Sequence, residues 1–177
     1  KDIMDAEGLT ICATHIGYDR LKNDLDDVIK QHKLWDCKYV GLGGMPREYS
    51  KDKEGYVAFA KEATEIARKL ADNGLRFIYH NHNFEFMKFD GVTGMDILLN
   101  ETDPDVFDFE IDTYWVQAGG ANPVDWINKV KSRMKVVHFK DMGVDSNRQV
   151  IMTEIGEGNL NWPCIIETCT DTGVEWA

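Results

Sequence analysis

Three short segments of the sequence end in pairs of ionisable side chains separated by one residue. The pairs, in chain order, are His80 and His82, Glu110 and Asp112, and His138 and Lys140. If each segment is a β-strand, the two members of a pair point to the same face. The intervening positions are mostly apolar, so they can pack against helices while the ionisable side chains point toward a shared interior.

Charged side chains are rarely buried unless they pair with each other or bind a metal. His80, Asp112 and His138 are therefore predicted to bind one divalent cation. This mixed set of imidazole and carboxylate ligands suits Mn²⁺, Zn²⁺, Co²⁺ or Fe²⁺, and Mg²⁺ less well. Each residue taken alone fits a loop anchor or a satisfied core group equally well, and only their combination indicates a metal.

Three other ionisable residues are predicted to be catalytic. His82 orients substrate or moves a proton, with metal ligation as its alternative, and Lys140 is a proton donor or an electrostatic stabiliser. The alternative for Lys140 is a salt bridge with Glu110. Glu85 follows the His82 segment and is interpreted as a pocket carboxylate, the alternative being a solvated loop acid.

Substrate binding is predicted for His15, Trp115 and Glu110. His15 ends an earlier strand-like run and is also a candidate for proton transfer. Trp115 offers an apolar wall for the C–H face of a sugar, although an ordinary core position explains it equally well. Glu110 lies one layer deeper than Asp112, where it supports a ligand, pairs with Lys140 or binds the metal itself.

The elements that must position these residues alternate between strand and helix. Strands are predicted at residues 9–15, 39–42, 75–82, 106–113 and 134–139. Helices are predicted after Asn23, from Ser50 to Gly74, and at residues 94–100, 123–130 and 163–169. Residues 142–161 are predicted to form a loop, and a sixth strand begins after Gly173. This alternation is typical of a parallel α/β sheet, either barrel or doubly wound, and no G-x-G-x-x-G motif supports a dinucleotide-binding version.

Composition narrows the range of partners. The net charge of −11 over 177 residues disfavours nucleic acid and favours small neutral polyols. No apolar run is long enough to span a membrane, and no leader pattern is found, so a soluble cytoplasmic protein is expected. The spacing of the four cysteines indicates idle thiols, and homo-oligomerisation is left open.

Four segments resemble successive motifs of the xylose-isomerase-like sugar phosphate isomerase/epimerase family. They are Y-H-N-H-N-F-E-F (79–86), E-I-D-T-Y-W-V (110–116), V-V-H-F-K-D-M (136–142) and E-I-G-E-G-N-L-N-W (154–162). The resemblance implies a single domain, residues 1–177, that is part of a (β/α)₈ TIM barrel with strands three to seven and the start of strand eight. It also implies that Asp112 and His138 match family metal ligands. His80 stands where the family usually has Glu, and the strand-eight Glu would lie beyond Ala177.

The activity that the resemblance implies is a divalent-metal-dependent sugar isomerase or epimerase. Its substrate would be a ketose, keto sugar or sugar phosphate, and its intermediate a metal-stabilised enediolate. Because His80 replaces one glutamate of the epimerase pair, a lyase or dehydratase of the inosose or 3-keto-sugar type is the alternative. A non-catalytic sugar-binding subunit stays open, whereas an endonuclease IV type of repair enzyme is disfavoured by the acidic charge.

Overall fold

The computed structural model describes residues 1–177 and contains nine strands, eight α-helices and two short 3₁₀ turns. The strands are β1 (Ala13–His15), β2 (Tyr39–Leu42), β3 (Arg76–His80), β4 (Lys88–Phe89), β5 (Val92–Thr93), β6 (Phe107–Asp112), β7 (Val136–His138), β8 (Asp141–Val144) and β9 (Val150–Thr153). The helices are α1 (Asp2–Ala6), α2 (Tyr18–Asn23), α3 (Leu25–Trp35), α4 (Lys53–Ala71), α5 (Gly94–Glu101), α6 (Thr113–Ala118), α7 (Pro123–Val130) and α8 (Trp162–Asp171). The 3₁₀ turns span Phe84–Phe86 and Lys131–Arg133.

Five strands form one parallel sheet in the order β1-β2-β3-β6-β7. All neighbouring pairs are parallel, so the carboxyl ends of the five strands lie along one edge. Val136 also forms a parallel bridge with Trp176, as expected for the start of a sixth strand. Five of the predicted strands are confirmed, and their parallel order with intervening helices is the arrangement expected for part of a TIM barrel.

The two faces of the sheet differ in chemistry because alternate residues point in opposite directions. Phe107, Phe109 and Ile111 of β6 belong to the main hydrophobic core, which the helices cover. The other face of β6 carries Asp108 and Glu110, together with Asp112 at its end. All six residues of this strand are buried, so the polar inner face must be satisfied by neighbours or a ligand.

Helix α4 shows why the longest helix was predictable. Its buried side chains recur at helical spacing and form one stripe against the sheet, and the carboxylate of Asp52 caps its first turn by accepting from the Gly55 amide. Gly74 follows with φ +78°, a left-handed conformation that favours glycine and ends the helical segment.

Shorter elements departed from the sequence-based expectations. The predicted loop at residues 142–161 contains the antiparallel hairpin of β8 and β9. Helices α2 and α6 were not predicted, and Asp24 rather than Asn23 precedes α3. These elements are too short for a hydrophobic period to identify them, and the hairpin leaves Val144 and Val150 largely exposed.

The cysteines and the hydropathy of the helices can be compared with what the composition predicted. All four cysteines are free thiols, as predicted. Among the eight helices, none combines the length and apolar character that crossing a bilayer demands.

His32 connects helix α3 to the strand that carries His15. Its side chain is fully buried, and its Nδ1 lies 2.7 Å from the Val28 carbonyl oxygen. Because a carbonyl only accepts, Nδ1 carries the proton and Nε2 accepts from the Thr14 hydroxyl at 2.7 Å. Burial lowers the pKa of His32 below the usual value, so the ring is neutral in the folded protein.

Replacing His32 by Gln is expected to reduce the loss of stability in mild acid. The unfolded protein binds a proton at this site below about pH 6.5, whereas the folded protein resists protonation. The free energy of unfolding therefore falls as pH drops below that value, and His32→Gln removes this contribution. Urea denaturation between pH 5 and pH 8 measures the free energy of unfolding of wild type and variant. If the difference between these two free energies is the same at every pH, His32 is not a buried neutral imidazole.

Candidate active site

His80, Asp112 and His138 meet at the carboxyl ends of three adjacent strands. The register pairs His80 with Glu110 and Asp112 with His138, which brings the strand ends into line. Asp112 Oδ2 lies 3.2 Å from His80 Nε2 and 3.6 Å from His138 Nδ1. The two imidazole nitrogens lie 3.0 Å from each other. The structure thus brings together all three residues predicted to bind a metal.

The spacing of these atoms fits the ligand shell of a divalent cation. Bonds of about 2.1 Å in a tetrahedral shell place neighbouring ligand atoms about 3.4 Å apart. The three observed separations, 3.0 to 3.6 Å, bracket that value. Burial lowers the pKa of His138, although Asp112 opposes this effect, so the imidazole favours the neutral form that binds metals. The residues present therefore fit a metal site.

Asp112 is held in place through three separate contacts. Its Oδ1 accepts from the Trp115 amide at 3.0 Å and caps helix α6, leaving Oδ2 to face the two imidazoles. Its own amide donates to Asn81 Oδ1, also at 3.0 Å. Asn81 is fully buried, and its amide side chain fixes the strand end that carries Asp112. The sequence analysis missed Asn81, although its place between His80 and His82 was a usable signal.

Lys140 lies beside this cluster rather than beside Glu110. Its Nζ is 3.8 Å from Asp112 Oδ2 and 5.1 Å from the Trp115 ring centre. The Lys140 amide donates to the Thr113 hydroxyl, and that hydroxyl lies 2.8 Å from the Lys140 carbonyl oxygen. The alternative salt bridge of Lys140 with Glu110 is wrong, because Glu110 is paired with another side chain.

That other side chain is His15, whose Nε2 lies 2.5 Å from Glu110 Oε2. The hydrogen bond with Glu110 raises the pKa of His15, against the opposing effect of burial. The His15 ring is 5.0 Å from the His80 ring and is partly exposed. The pair therefore flanks the metal cluster from the side of strand β1.

His82 follows β3 and borders an open cavity of about 400 Å³. The ring stacks on Phe84 with a centroid separation of 5.8 Å and lies 5.2 Å from the Trp115 ring. Its Nδ1 is buried without a hydrogen-bond partner in the protein. The cavity is lined by His15, Ile16, Gly17, Tyr18, Leu42, Gly43, Gly44, Met45, His82 and Phe84. Polar groups and apolar walls are thus both available to a ligand there.

Glu85 points away from this cavity into the protein. It is fully buried, and its carboxylate accepts from the Tyr79 hydroxyl at 2.6 Å and the His82 amide at 2.9 Å. Both interpretations made from the sequence, a pocket carboxylate and a solvated loop acid, are therefore wrong. Burial raises the pKa of Glu85 to about 7, although these hydrogen bonds oppose the shift. The carboxylate contacts the framework around His82 rather than the space beside the metal cluster.

The comparisons with known proteins agree with this architecture. The family described as xylose isomerase-like TIM barrel matches residues 1–176. The chain belongs to that family, which confirms the resemblance inferred from the four motifs.

Individual relatives carry different activities. An inosose dehydratase from Clostridium beijerinckii is 28% identical over 98 residues, which is 55% of this chain and 32% of that protein. A crystal structure of a sugar phosphate isomerase/epimerase from Parabacteroides distasonis superimposes with a TM-score of 0.80 at 22% identity, covering 99% of this chain and 65% of that one. The zinc-bound IOLI protein gives a TM-score of 0.70 at 12% identity, over 98% and 68% of the two chains. The chain thus spans about a third of the dehydratase, and the structural likenesses establish the fold.

Replacing Asp112 by Asn is expected to weaken Zn²⁺ binding by at least about 100-fold, because it removes the only charged ligand of the cluster. Isothermal titration of the protein with Zn²⁺ measures the change. Asp52→Asn is the matched control, since Asp52 caps helix α4 as Asp112 caps α6 but lies outside the site. Equal Zn²⁺ affinity in both variants would show that Asp112 is not a ligand.

Proposed function

We propose that this protein is a divalent-metal-dependent enzyme that transfers a proton next to the carbonyl group of a sugar, as an isomerase or epimerase. The observation that carries the proposal is the cluster of His80, Asp112 and His138, which lies beside Lys140. The rings of His15 and His82, which line the neighbouring cavity, each lie 5.0 Å from the His80 ring. Membership of the xylose isomerase-like family supports a carbohydrate as ligand.

The metal would be held by the three clustered residues. A divalent cation bound there would supply a Lewis acid, which would polarise a carbonyl oxygen and acidify the neighbouring C–H bond. A mixed imidazole and carboxylate set accepts Mn²⁺, Zn²⁺ or Co²⁺, and Mg²⁺ less readily. The zinc-bound IOLI protein shares the fold, which supports the choice of a transition metal.

Binding of the sugar would fall to residues around the cavity. His15, fixed by Glu110, presents a polar edge beside the cluster. Trp115 and Phe84 are partly exposed aromatic rings that flank His82, and such rings suit the apolar face of a sugar. We propose that these residues orient the carbonyl end of the substrate toward the cation held by His80, Asp112 and His138.

Proton transfer would be carried out by His82 and Lys140. Burial lowers the pKa of His82, so the ring favours the neutral form that accepts a proton. The Lys140 ammonium lies 3.8 Å from Asp112 Oδ2 and 5.1 Å from the centre of the Trp115 ring. It can donate a proton to oxygen or stabilise negative charge as it develops.

Elimination of water is the second candidate, because the curated relatives include inosose dehydratases. Both reactions begin by removing a proton next to a carbonyl group. They differ in whether the proton returns to carbon or a hydroxyl group departs.

Incubating the protein with Mn²⁺ or Co²⁺ and a panel of ketoses, keto sugars and inososes in deuterated water tests the proposal. We expect deuterium at the carbon next to the carbonyl group of at least one substrate, detected by mass spectrometry. Loss of one water from the product would identify elimination instead. Lys140→Met should lower the rate about 100-fold or more, because it removes the charged group beside the reacting atoms.

The controls separate chemistry from folding. Asp112→Asn and a chelator should each abolish exchange, and Asp52→Asn should leave it unchanged. Sugar binding without exchange by any metal-loaded sample would point to a non-catalytic sugar-binding subunit, and the enzymatic proposal would then be abandoned.

A further inference from the structure

We infer that Glu85 is a positioning residue, whose buried carboxylate fixes the His82 imidazole beside the metal cluster by holding the backbone on both sides of that ring. The catalytic consequence rests on the proposed function, in which His82 moves a proton. The structural part stands independently, because it concerns contacts within the protein.

The first contact ties Glu85 to the segment that carries His82. Glu85 lies in the 3₁₀ turn Phe84–Phe86 and has no exposed surface. Its Oε2 accepts from the His82 amide at 2.9 Å, three residues back along the chain. The carboxylate therefore closes a tight turn just after strand β3 and determines where the His82 side chain leaves the backbone.

The second contact reaches the loop that follows β2. Glu85 Oε1 accepts from the Tyr79 hydroxyl at 2.6 Å, and the same hydroxyl accepts from the Met45 amide at 3.1 Å. The chain from Glu85 through Tyr79 to Met45 thus links two neighbouring strand ends. Tyr79 is fully buried, so water does not compete for these bonds.

The loop held in this way forms one wall of the space that His82 occupies. A Cβ atom added to Gly44 would lie 3.1 Å from His82 Cε1, tighter than an ordinary contact. Phe84 and Trp115 border the ring from other directions. Glu85 holds both the Met45 side of the space around His82 and the His82 amide itself. A change at Glu85 or Tyr79 therefore shifts the His82 ring relative to the His80 ring, which lies 5.0 Å away.

A carboxylate at this place is costly, since burial disfavours its charge. An apolar side chain could fill the same volume, but it could not accept from two donors in different segments. The two oxygens explain why an acidic residue occupies a position with no access to substrate. Glu85 accordingly supports the reaction through His82 instead of exchanging protons with the sugar.

Tyr79→Phe tests the inference while keeping the aromatic ring in the core. The matched control is Tyr39→Phe, because Tyr39 is a buried tyrosine on the adjacent strand whose hydroxyl donates to Glu175 at 2.9 Å, toward the other end of the sheet. In nitrogen-15 and carbon-13 NMR spectra of the Zn²⁺-loaded protein, Tyr79→Phe should shift the amide signals of His82 and Met45 and the ring signal of His82. Tyr39→Phe should leave all three in place.

The kinetic measurement uses the sugar into which the wild-type protein incorporates deuterium. In Tyr79→Phe we expect kcat to fall about tenfold, since a misplaced catalytic group slows chemistry, while KM and the Zn²⁺ affinity change less than about twofold. Glu85→Gln, which keeps one acceptor oxygen and the side-chain length, should shift the same signals. Both variants should melt cooperatively, and Tyr79→Phe remains informative if Glu85→Gln does not fold.

Two results would overturn the inference. Unmoved signals of His82 and Met45 in Tyr79→Phe would show that the hydroxyl does not position them. Moved signals with an unchanged kcat would show that the arrangement has no catalytic role. A wild-type protein without metal binding or exchange would refute the proposed function instead, and the NMR comparison would still decide whether Glu85 and Tyr79 position His82.

Discussion

The geometry at the carboxyl ends of β3, β6 and β7 depends on the contacts of the buried Asp112 carboxylate. One oxygen caps helix α6 and the other faces His80 and His138, while the backbone amide of the same residue is bound by Asn81. A charge with no exposed surface is tolerated only where such partners surround it. The capping contact and the metal-facing contact use different oxygens, so helix formation and ligand geometry are satisfied together.

The other buried acids on the inner face of the sheet are also paired with basic side chains. Arg76 binds both oxygens of Asp108 at 2.7 and 2.8 Å, and His15 pairs with Glu110. Each buried acid of β6 thus has its own partner, and Asp112, at the carboxyl end, is the one placed among three basic side chains. Charges held in place before a ligand arrives need no rearrangement to stabilise charge that develops near them.

Much of the fold was predictable from local patterns. The buried stripe of α4 and the apolar runs of the five strands carry clear periodic signals, and the alternation of strand and helix indicates a parallel sheet. The spacing by two within each pair, His80 with His82, Glu110 with Asp112 and His138 with Lys140, also predicted that the two members share a face. Short elements escaped prediction: the hairpin of β8 and β9 depends on antiparallel pairing and on the buried Asp141 carboxylate, which accepts from the amides of Gly156 and Gly158.

The sequence by itself determined which residues end the strands and which face they share, because a strand repeats every two residues whatever surrounds it. Only the tertiary structure decided which ionisable side chains form pairs. His15 of β1 pairs with Glu110 of β6 although two other strands lie between them in the sheet, and Lys140 lies beside Asp112. The sequence was equally compatible with a pair of Glu110 and Lys140. The direction of Glu85 was decided in the same way, since it lies in a 3₁₀ turn after the strand, where the period of two no longer applies, and a distant hydroxyl on Tyr79 draws it into the core.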